Sequence, residues 1–325
     1  MKLSIVIICL NEEKHLPRCL SALQKADHAG LELELILADG GSIDRSREIA
    51  QSFGARVLNC PKGIPRQRNC GARSATGDIL AYIDADVEVL AGWFATVVRH
   101  FGARKNMILG CAPRLAADAS WVAKAYALHW GLRPNGESST ESKERLLSTQ
   151  SLVMGLEVFK HVGGFREDLD VDEDTVFVIQ AKKQQIPIEY DVALSYIHHG
   201  EPKNFRAFFR RIKWGLNYAS WFAALRRWDR GQILRLQYLY GVVIAGEIGL
   251  LAIGMLTRYF GVFSALPCLA LAALLMSIAL PSLRTAHRHN AFKYFGNLNL
   301  MYLAYGLASA AAMLGLGKNK AKRWR

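Results

Sequence analysis

Cysteine is sparse and unpatterned in this 325-residue chain. Cys9, Cys19, Cys60, Cys70, Cys111 and Cys268 form no C-x-x-C pair and no metal-ligand spacing. That excludes a thiolate metal site and leaves them as small buried hydrophobes in a reducing compartment. Acidic residues are nearly missing from the C-terminal part: residues 201–325 hold Glu201, Asp229 and Glu247 against 18 Lys and Arg, a net of +15. The formal charge of +13 therefore belongs to that part alone, since residues 1–200 come to −2. No repeat or low-complexity segment interrupts the chain.

A polar face is also missing from two long apolar runs, 237–257 and 261–281, and a third run covers 295–317. Each approaches or exceeds the roughly 20 residues that cross a hydrocarbon core. Arg226, Arg227, Arg230 and Arg235 precede the first run, and Arg284, Arg288 and Lys293 follow the second. Basic residues beside apolar spans are retained on the cytoplasmic side. The basic character therefore points to a membrane rather than to nucleic acid. The expectation is a multi-pass protein of the inner (cytoplasmic) membrane, with its soluble front half in the cytoplasm. Asn297, Asn299, Gly315 and Gly317 weaken the third run as a span, and five basic residues between Lys318 and Arg325 resist export. The tail is expected to stay inside.

The front half alternates. Leu3–Leu10 reads as a strand covered on both faces, and its apolar run is too short for a signal peptide before Asn11-Glu12-Glu13. Glu12–Leu23 has helical spacing, with Leu16, Leu20 and Leu23 on one side. Leu33–Ala38 is a second strand, Asp44–Phe53 a second helix with Ser42 placed to cap it, and Arg56–Leu58 a short strand. Pro65–Ala75 is a third helix and Ile79–Ile83 a further strand. Four alternations in 90 residues argue for an α/β fold with a parallel, doubly wound, Rossmann-like sheet. Ligands of such sheets bind beyond the carboxyl ends of the strands, where Asn11, Asp39 and Asp84 each stand.

The run "DILAYIDADVEV" ends a buried strand in Asp84 and Asp86, which point to the same side of an extended chain. Two like charges held together favour a bound divalent cation, and oxygen ligands suit Mg²⁺ or Mn²⁺. The acidic run Asp168–Asp174 is not a calcium loop, because Glu173 replaces the glycine and Ile179 the final glutamate. Aromatic and basic residues interleave from Phe205 to Trp228, as in a helix lying in the membrane interface. Arg133–Arg145 reads as an exposed loop. His198-His199 is open between a metal or phosphate contact and a surface or core role. Glu247, inside an apolar run, is open between function and a neutral contact with another helix.

With these motifs in place, residues 3–215 resemble the family 2 glycosyltransferases, which have the GT-A fold. "SIVIICLNEE" is similar to the family's opening strand and Asn-Glu turn, and "ILADGGSIDRS" to its second strand and D-G/D-S signature. "GIPRQRNCGARSATGDILAYIDADV" resembles the segment leading into the D-x-D motif. "GGFREDLDVDED" resembles the acceptor-side segment ending in a Glu-Asp pair. The resemblance implies a nucleotide-sugar donor, with UDP- or GDP-sugars foremost, a divalent metal (Mn²⁺ or Mg²⁺), and inversion at the sugar carbon. It implies that Asn11 and Glu12 line the nucleotide pocket, Asp39 contacts the base, and Arg68 and Asn69 hold the nucleotide end. Asp86 would ligate the metal with Asp84 beside it on the ribose. Asp174 would be the base, with Glu173 orienting the acceptor, and Arg210 and Arg211 would reach the diphosphate. A loose match of "RRIKWG" to the Q-x-x-R-W motif argues against a polymerising synthase.

The expected organisation is a catalytic domain over 1–200, interfacial helices over 201–235, a membrane segment over 236–317 and a basic tail over 318–325. The expected activity moves one sugar to a lipid-linked or membrane-associated hydroxyl, with no nucleic-acid partner. A polyprenyl-phosphate transferase and a non-catalytic membrane scaffold are the alternatives.

Overall fold

The computed structural model describes residues 1–129, 147–169, 173–215, 243–244, 246–256, 266–288 and 290–313. They divide into two compact units, 1–117 with 147–201, and 118–129 with the described residues from 202 onward.

The first unit is built on a seven-stranded sheet in the order β3-β2-β1-β4-β7-β6-β8. Strand β1 (Lys2–Cys9) lies between β2 (Glu32–Asp39) and β4 (Ile79–Asp84) and runs parallel to both, and β3 (Arg56–Asn59) extends the parallel set. Its apolar residues fill cores on both faces, with Leu3, Ile5 and Ile7 on one side and Val6 on the other. The continuous apolar run of the sequence has this cause. The fully parallel sheet expected from the alternation is corrected here. Strand β7 (Ser151–Gly155) pairs antiparallel with β4 and with β6 (Ile108–Gly110), while β8 (Ile188–Tyr190) is parallel to β6. The sheet is mixed because the chain enters β7 from the carboxyl end of β4, where Asp84 N–H bonds Gln150 O.

Helix α1 (Leu16–Lys25) buries Leu16, Cys19, Leu20 and Leu23, a stripe at helical spacing. It starts four residues later than expected, because residues 11–13 are spent on contacts with the loop after β2. Helix α2 (Ser46–Ser52) has no side-chain cap; Ser42 bonds Asp39 instead of capping it. Helix α3 (Ile64–Ser74) follows Gly63, whose φ of 135° suits glycine. A Cβ on Gly71 would lie 2.3 Å from Val6 Cγ1, so α3 packs directly on β1. Overpacking there costs about 1–3 kcal/mol. The cysteine reading needs one correction: Cys60 and Cys70 form a disulfide between the loop after β3 and α3, with Cα atoms 6.0 Å apart. Cys9, Cys19 and Cys111 are buried and free as expected. A small ribbon, β5 (Val87–Val89) paired with β9 (Tyr196–His198), completes the site end.

The second unit is helical. Helix α5 (Trp121–His129), helix α8 (Phe205–Gly215), and the helices Gly246–Leu256, Leu266–Arg288 and Phe295–Met313 belong to it. Val122, Leu128, Phe208, Leu298 and Met301 are buried in its core. Glu247 Oε1 accepts a hydrogen bond from Ser277 Oγ at 2.5 Å, so this carboxyl faces a neighbouring helix. Among the described residues one stretch, Leu269–Arg288, is long and apolar enough to cross a membrane, and Gly246–Leu256 is apolar but shorter. The described exposed large hydrophobic side chains, Met1, Ile43 and Val192 excepted, all lie in this unit. The loop expected at 133–145 lies outside the described residues, as do the part of the interfacial stretch beyond Gly215 and the tail.

Candidate active site

The order β3-β2-β1-β4 reverses direction at β1, so a crevice opens beyond the carboxyl ends of β1 and β4. On the β1 side, Asn11 adopts φ +60°, a conformation asparagine tolerates. Its Oδ1 accepts from Ile43 N–H at 2.9 Å, and its N–H donates to Ser42 Oγ at 2.9 Å. Glu12 N–H donates to Ser46 Oγ at 2.8 Å. The β1–α1 turn and the β2–α2 loop are thus one hydrogen-bonded block. Asp39 is fully buried at its centre. It accepts from the Gly41 and Ser42 amides and the Ser42 hydroxyl, with Arg47 Nε 3.7 Å away. Its carboxylate shapes this loop before it does anything else.

On the β4 side, Asp84 Oδ1 accepts from Arg68 Nη2 at 3.1 Å, and Arg68 Nη1 bonds Glu173 at the start of α7 (Glu173–Lys183). Arg68 is 3% exposed, and among the described residues its Nε has no hydrogen-bond partner. One buried guanidinium therefore joins the D-x-D end to the Glu-Asp pair, reaching Asp84, 16 residues along the chain, and Glu173, 105 residues along it. Burial pushes Glu173 up to about 7, against the pull of Arg68. Burial also raises Asp84, with Asp86 adding to the rise and Arg68 opposing it. Asp174 accepts from Thr175 N–H at 2.7 Å.

Asp86 sits on the turn between β4 and β5, with Oδ2 3.2 Å from His198 Nε2. His198 Nδ1 lies 2.8 Å from Glu201 Oε1. Burial opposes the charge on His198, but Asp86 and Glu201 outweigh it and lift the imidazole to about 10. Burial would raise Asp86, but the charge and hydrogen bond of His198, helped by His15, hold it below the usual carboxylate range. A Cβ on Gly200 would fall 2.0 Å from Asp86 Oδ2, so glycine is what lets the carboxylate lie there. His199 bridges Arg18 and Glu88 at 2.9 and 2.8 Å. Glu12 is pushed up to about 7, first by burial and then by Asp86 and Asp84.

Among the described residues no group of three or more His, Cys, Asp or Glu side chains is disposed as a ready cage for a metal ion. The donor chemistry nevertheless fits one. Asp84 and Asp86 offer carboxylate oxygens, and the negative charge that raises Glu12 is the field a divalent cation would neutralise, while His198 is already held as a cation between Asp86 and Glu201.

The expected site residues therefore fall into three groups. Asn11, Glu12 and Asp39 meet at one end of the crevice, and Arg68, Asp84 and Glu173 form one bonded chain, with Asp86 beside His198. Asn69 serves otherwise: its Oδ1 accepts from Phe165 N–H at 2.8 Å, and its Nδ2 donates to Phe165 O and Glu167. It pins the Gly164–Phe165 turn. Arg210 and Arg211 lie on α8 of the second unit, with Arg210 exposed and Arg211 5.6 Å from the Tyr126 ring. Gln67 and Gly200 escaped sequence reading, and the His198-His199 doublet was the one signal for His198.

Residues 4–159 match glycosyl transferase family 2. The chain is 37% identical over 95 residues to 4,4'-diaponeurosporenoate glycosyltransferase of Staphylococcus haemolyticus, covering 27% of this chain and 24% of that protein. It is 38% identical over 94 residues to undecaprenyl-phosphate 4-deoxy-4-formamido-L-arabinose transferase of Shewanella sediminis, covering 26% and 28%. The chain thus spans about a quarter of the length of these relatives. Among solved structures it is similar to the mannosyltransferase PcManGT from Pyrobaculum calidifontis, determined in complex with GDP-Man and Mn²⁺. The TM-score is 0.59 at 16% identity, over 97% of this chain and 88% of that one. That likeness shows the fold.

Proposed function

Residues 4–159 belong to glycosyl transferase family 2, and from that premise we propose that the chain is an inverting, metal-assisted transferase. It would move one sugar from a nucleotide-sugar donor, a UDP- or GDP-sugar, to a lipid-linked or membrane-associated hydroxyl. The observation that carries this reading is the Arg68 bridge between Asp84 and Glu173. It ties the acidic end of the crevice to the start of α7, where Asp174 follows. Displacement with inversion needs these two parts on opposite faces of the sugar carbon.

The work divides among named residues. Asn11, Glu12 and Asp39 would border the nucleotide. Asp86, with His198 and Asp84 beside it, would hold a Mn²⁺ or Mg²⁺ ion, which when bound supplies neutralising charge for the departing diphosphate. Asp174 would take the proton from the attacking hydroxyl as the new bond forms. Glu173, held by Arg68, would orient the acceptor. The apolar exposed side chains of the second unit support a membrane-bound acceptor, because such surface has no counterpart in water.

A second reading has its own support: the similarity to an undecaprenyl-phosphate sugar transferase. A phosphate acceptor is already an anion and needs no base. Asp174→Asn separates the two. For a hydroxyl acceptor, donor binding should survive while the rate falls about 10²–10⁴-fold. Transfer from a labelled donor to membrane lipids at near wild-type rate would favour the phosphate acceptor instead.

A further inference from the structure

Three loops frame the nucleotide end of the crevice: the turn after β1 with Asn11, the loop after β2 with Asp39, and the loop after β3 that ends at Gly63. One side chain reaches all three. Gln67 on α3 is 4% exposed. Its Nε2 donates to Cys9 O at 2.8 Å and to Ala38 O at 2.9 Å, the carbonyls from which the first two loops depart. Its Oε1 accepts from Gly63 N–H at 3.4 Å.

Gly40 is the complement of that side chain. A Cβ at position 40 would lie 2.8 Å from Gln67 Oε1, 2.9 Å from Cδ and 3.0 Å from Nε2. Gly41, next in the chain, has φ +96° and suits glycine for its backbone, whereas Gly40 is not among the positive-φ glycines. Its backbone would accept any residue, and what requires glycine there is the Gln67 carboxamide. On a surface a glutamine swings aside easily. This one is buried, and moving it takes both Nε2 donors away from their carbonyls, leaving polar groups unpaired.

We infer that Gln67 is the positioning residue of the donor-nucleotide end, and that position 40 is glycine to admit it. Gln67 acts through Asn11, Asp39 and Gly63 by fixing the three loops against one another. The identity of the ligand rests on the glycosyltransferase reading, and the tie between positions 40 and 67 does not.

The test uses the full chain in detergent, as wild type, Gln67→Ala, Gly40→Ala and the double variant. Binding of UDP and of GDP, each with Mn²⁺, is measured by calorimetry, and amide hydrogen exchange is followed in the free protein. Each single substitution should weaken nucleotide binding about tenfold and speed exchange at 11–13, 40–42 and 60–63 together. The double variant should be no weaker than Gln67→Ala alone, because the three atoms nearest the added Cβ, all in the Gln67 carboxamide, are then gone. Two effects that simply add, to about a hundredfold, would overturn the tie. Loosened loops with unchanged nucleotide affinity would reduce Gln67 to a structural role and overturn the positioning one. If neither nucleotide binds the wild type, the donor reading has failed by itself. Exchange then decides the tie, and loops indifferent to both substitutions would sink it. Should the alanine variant not fold, Gln67→Glu keeps the shape and removes the Nε2 donor.

Discussion

At the scale of single residues, Asp86 is where the proposed chemistry is most exposed to test. Its carboxylate is fixed by His198 and admitted by Gly200, so Asp86→Asn should leave the fold intact while removing the charge that would hold a cation. Transfer should be abolished, and chelation should silence the wild type until Mn²⁺ or Mg²⁺ is restored. Mn²⁺ should serve at least as well as Mg²⁺, since carboxylate oxygens suit both ions. Full activity in excess chelator would sink the metal. Asp84 and Asp86 were legible in the sequence, since two carboxylates ending an apolar strand are costly unless something uses them. The partners of Arg68 were not legible, because nothing local announces a bond across 105 residues. The partners of Asn69 were hidden in the same way, since Phe165 and Glu167 lie 96 and 98 residues along the chain.

At the scale of elements, the strand–helix alternation carried the first four strands and three helices to within a few residues. Hydrophobic periodicity is a local signal, and these elements follow one another locally. It could not reveal that β7 runs against its neighbours, because an apolar strand reads the same in either direction. Glu34 shows how the elements are tied. It accepts from Ser4 of β1 at 2.5 Å, from Arg56 of β3 at 2.9 Å, and from the Thr76 amide before β4 at 2.8 Å. Burial alone would raise this carboxyl, but those donors outweigh it and hold it below the ordinary value. A folded-state value below the unfolded one stabilises the fold above the unfolded pKa, and that stability is lost as pH falls through the folded one. Glu34→Gln should therefore melt below wild type at neutral pH. The gap should close as pH falls below about 4, near the unfolded-state value for Glu. A gap in melting temperature that stays constant from pH 7 to pH 3 would mean the carboxylate contributes nothing as a charge.

At the scale of the whole molecule, the proposed membrane-bound acceptor carries a prediction about topology. The helix Leu266–Arg288 exposes Leu269, Leu275 and Met276 at 66%, 58% and 61%, as a lipid-facing surface would. It ends in Arg284, His287 and Arg288, with Lys293 following. If the first unit faces the cytoplasm, the first apolar run would lead outward and this helix back, which would keep those cations inside, as the charge rule wants. A third full span along Phe295–Met313 would then export Lys318, Lys320, Lys322, Arg323 and Arg325. Five basic residues in an eight-residue tail should resist that. Among the described residues Asn299 Oδ1 is buried with no hydrogen-bond partner, in the helix that would have to cross, which adds to the cost of a span there. The helix should therefore be re-entrant or interfacial, or pack against its neighbours without crossing, and the tail should stay with the first unit on the cytoplasmic side. A C-terminal reporter that is active only in the cytoplasm should read positive. Labelling of a cysteine placed at Arg325 by an impermeant reagent outside intact cells would establish a third span, and the charge argument would have lost.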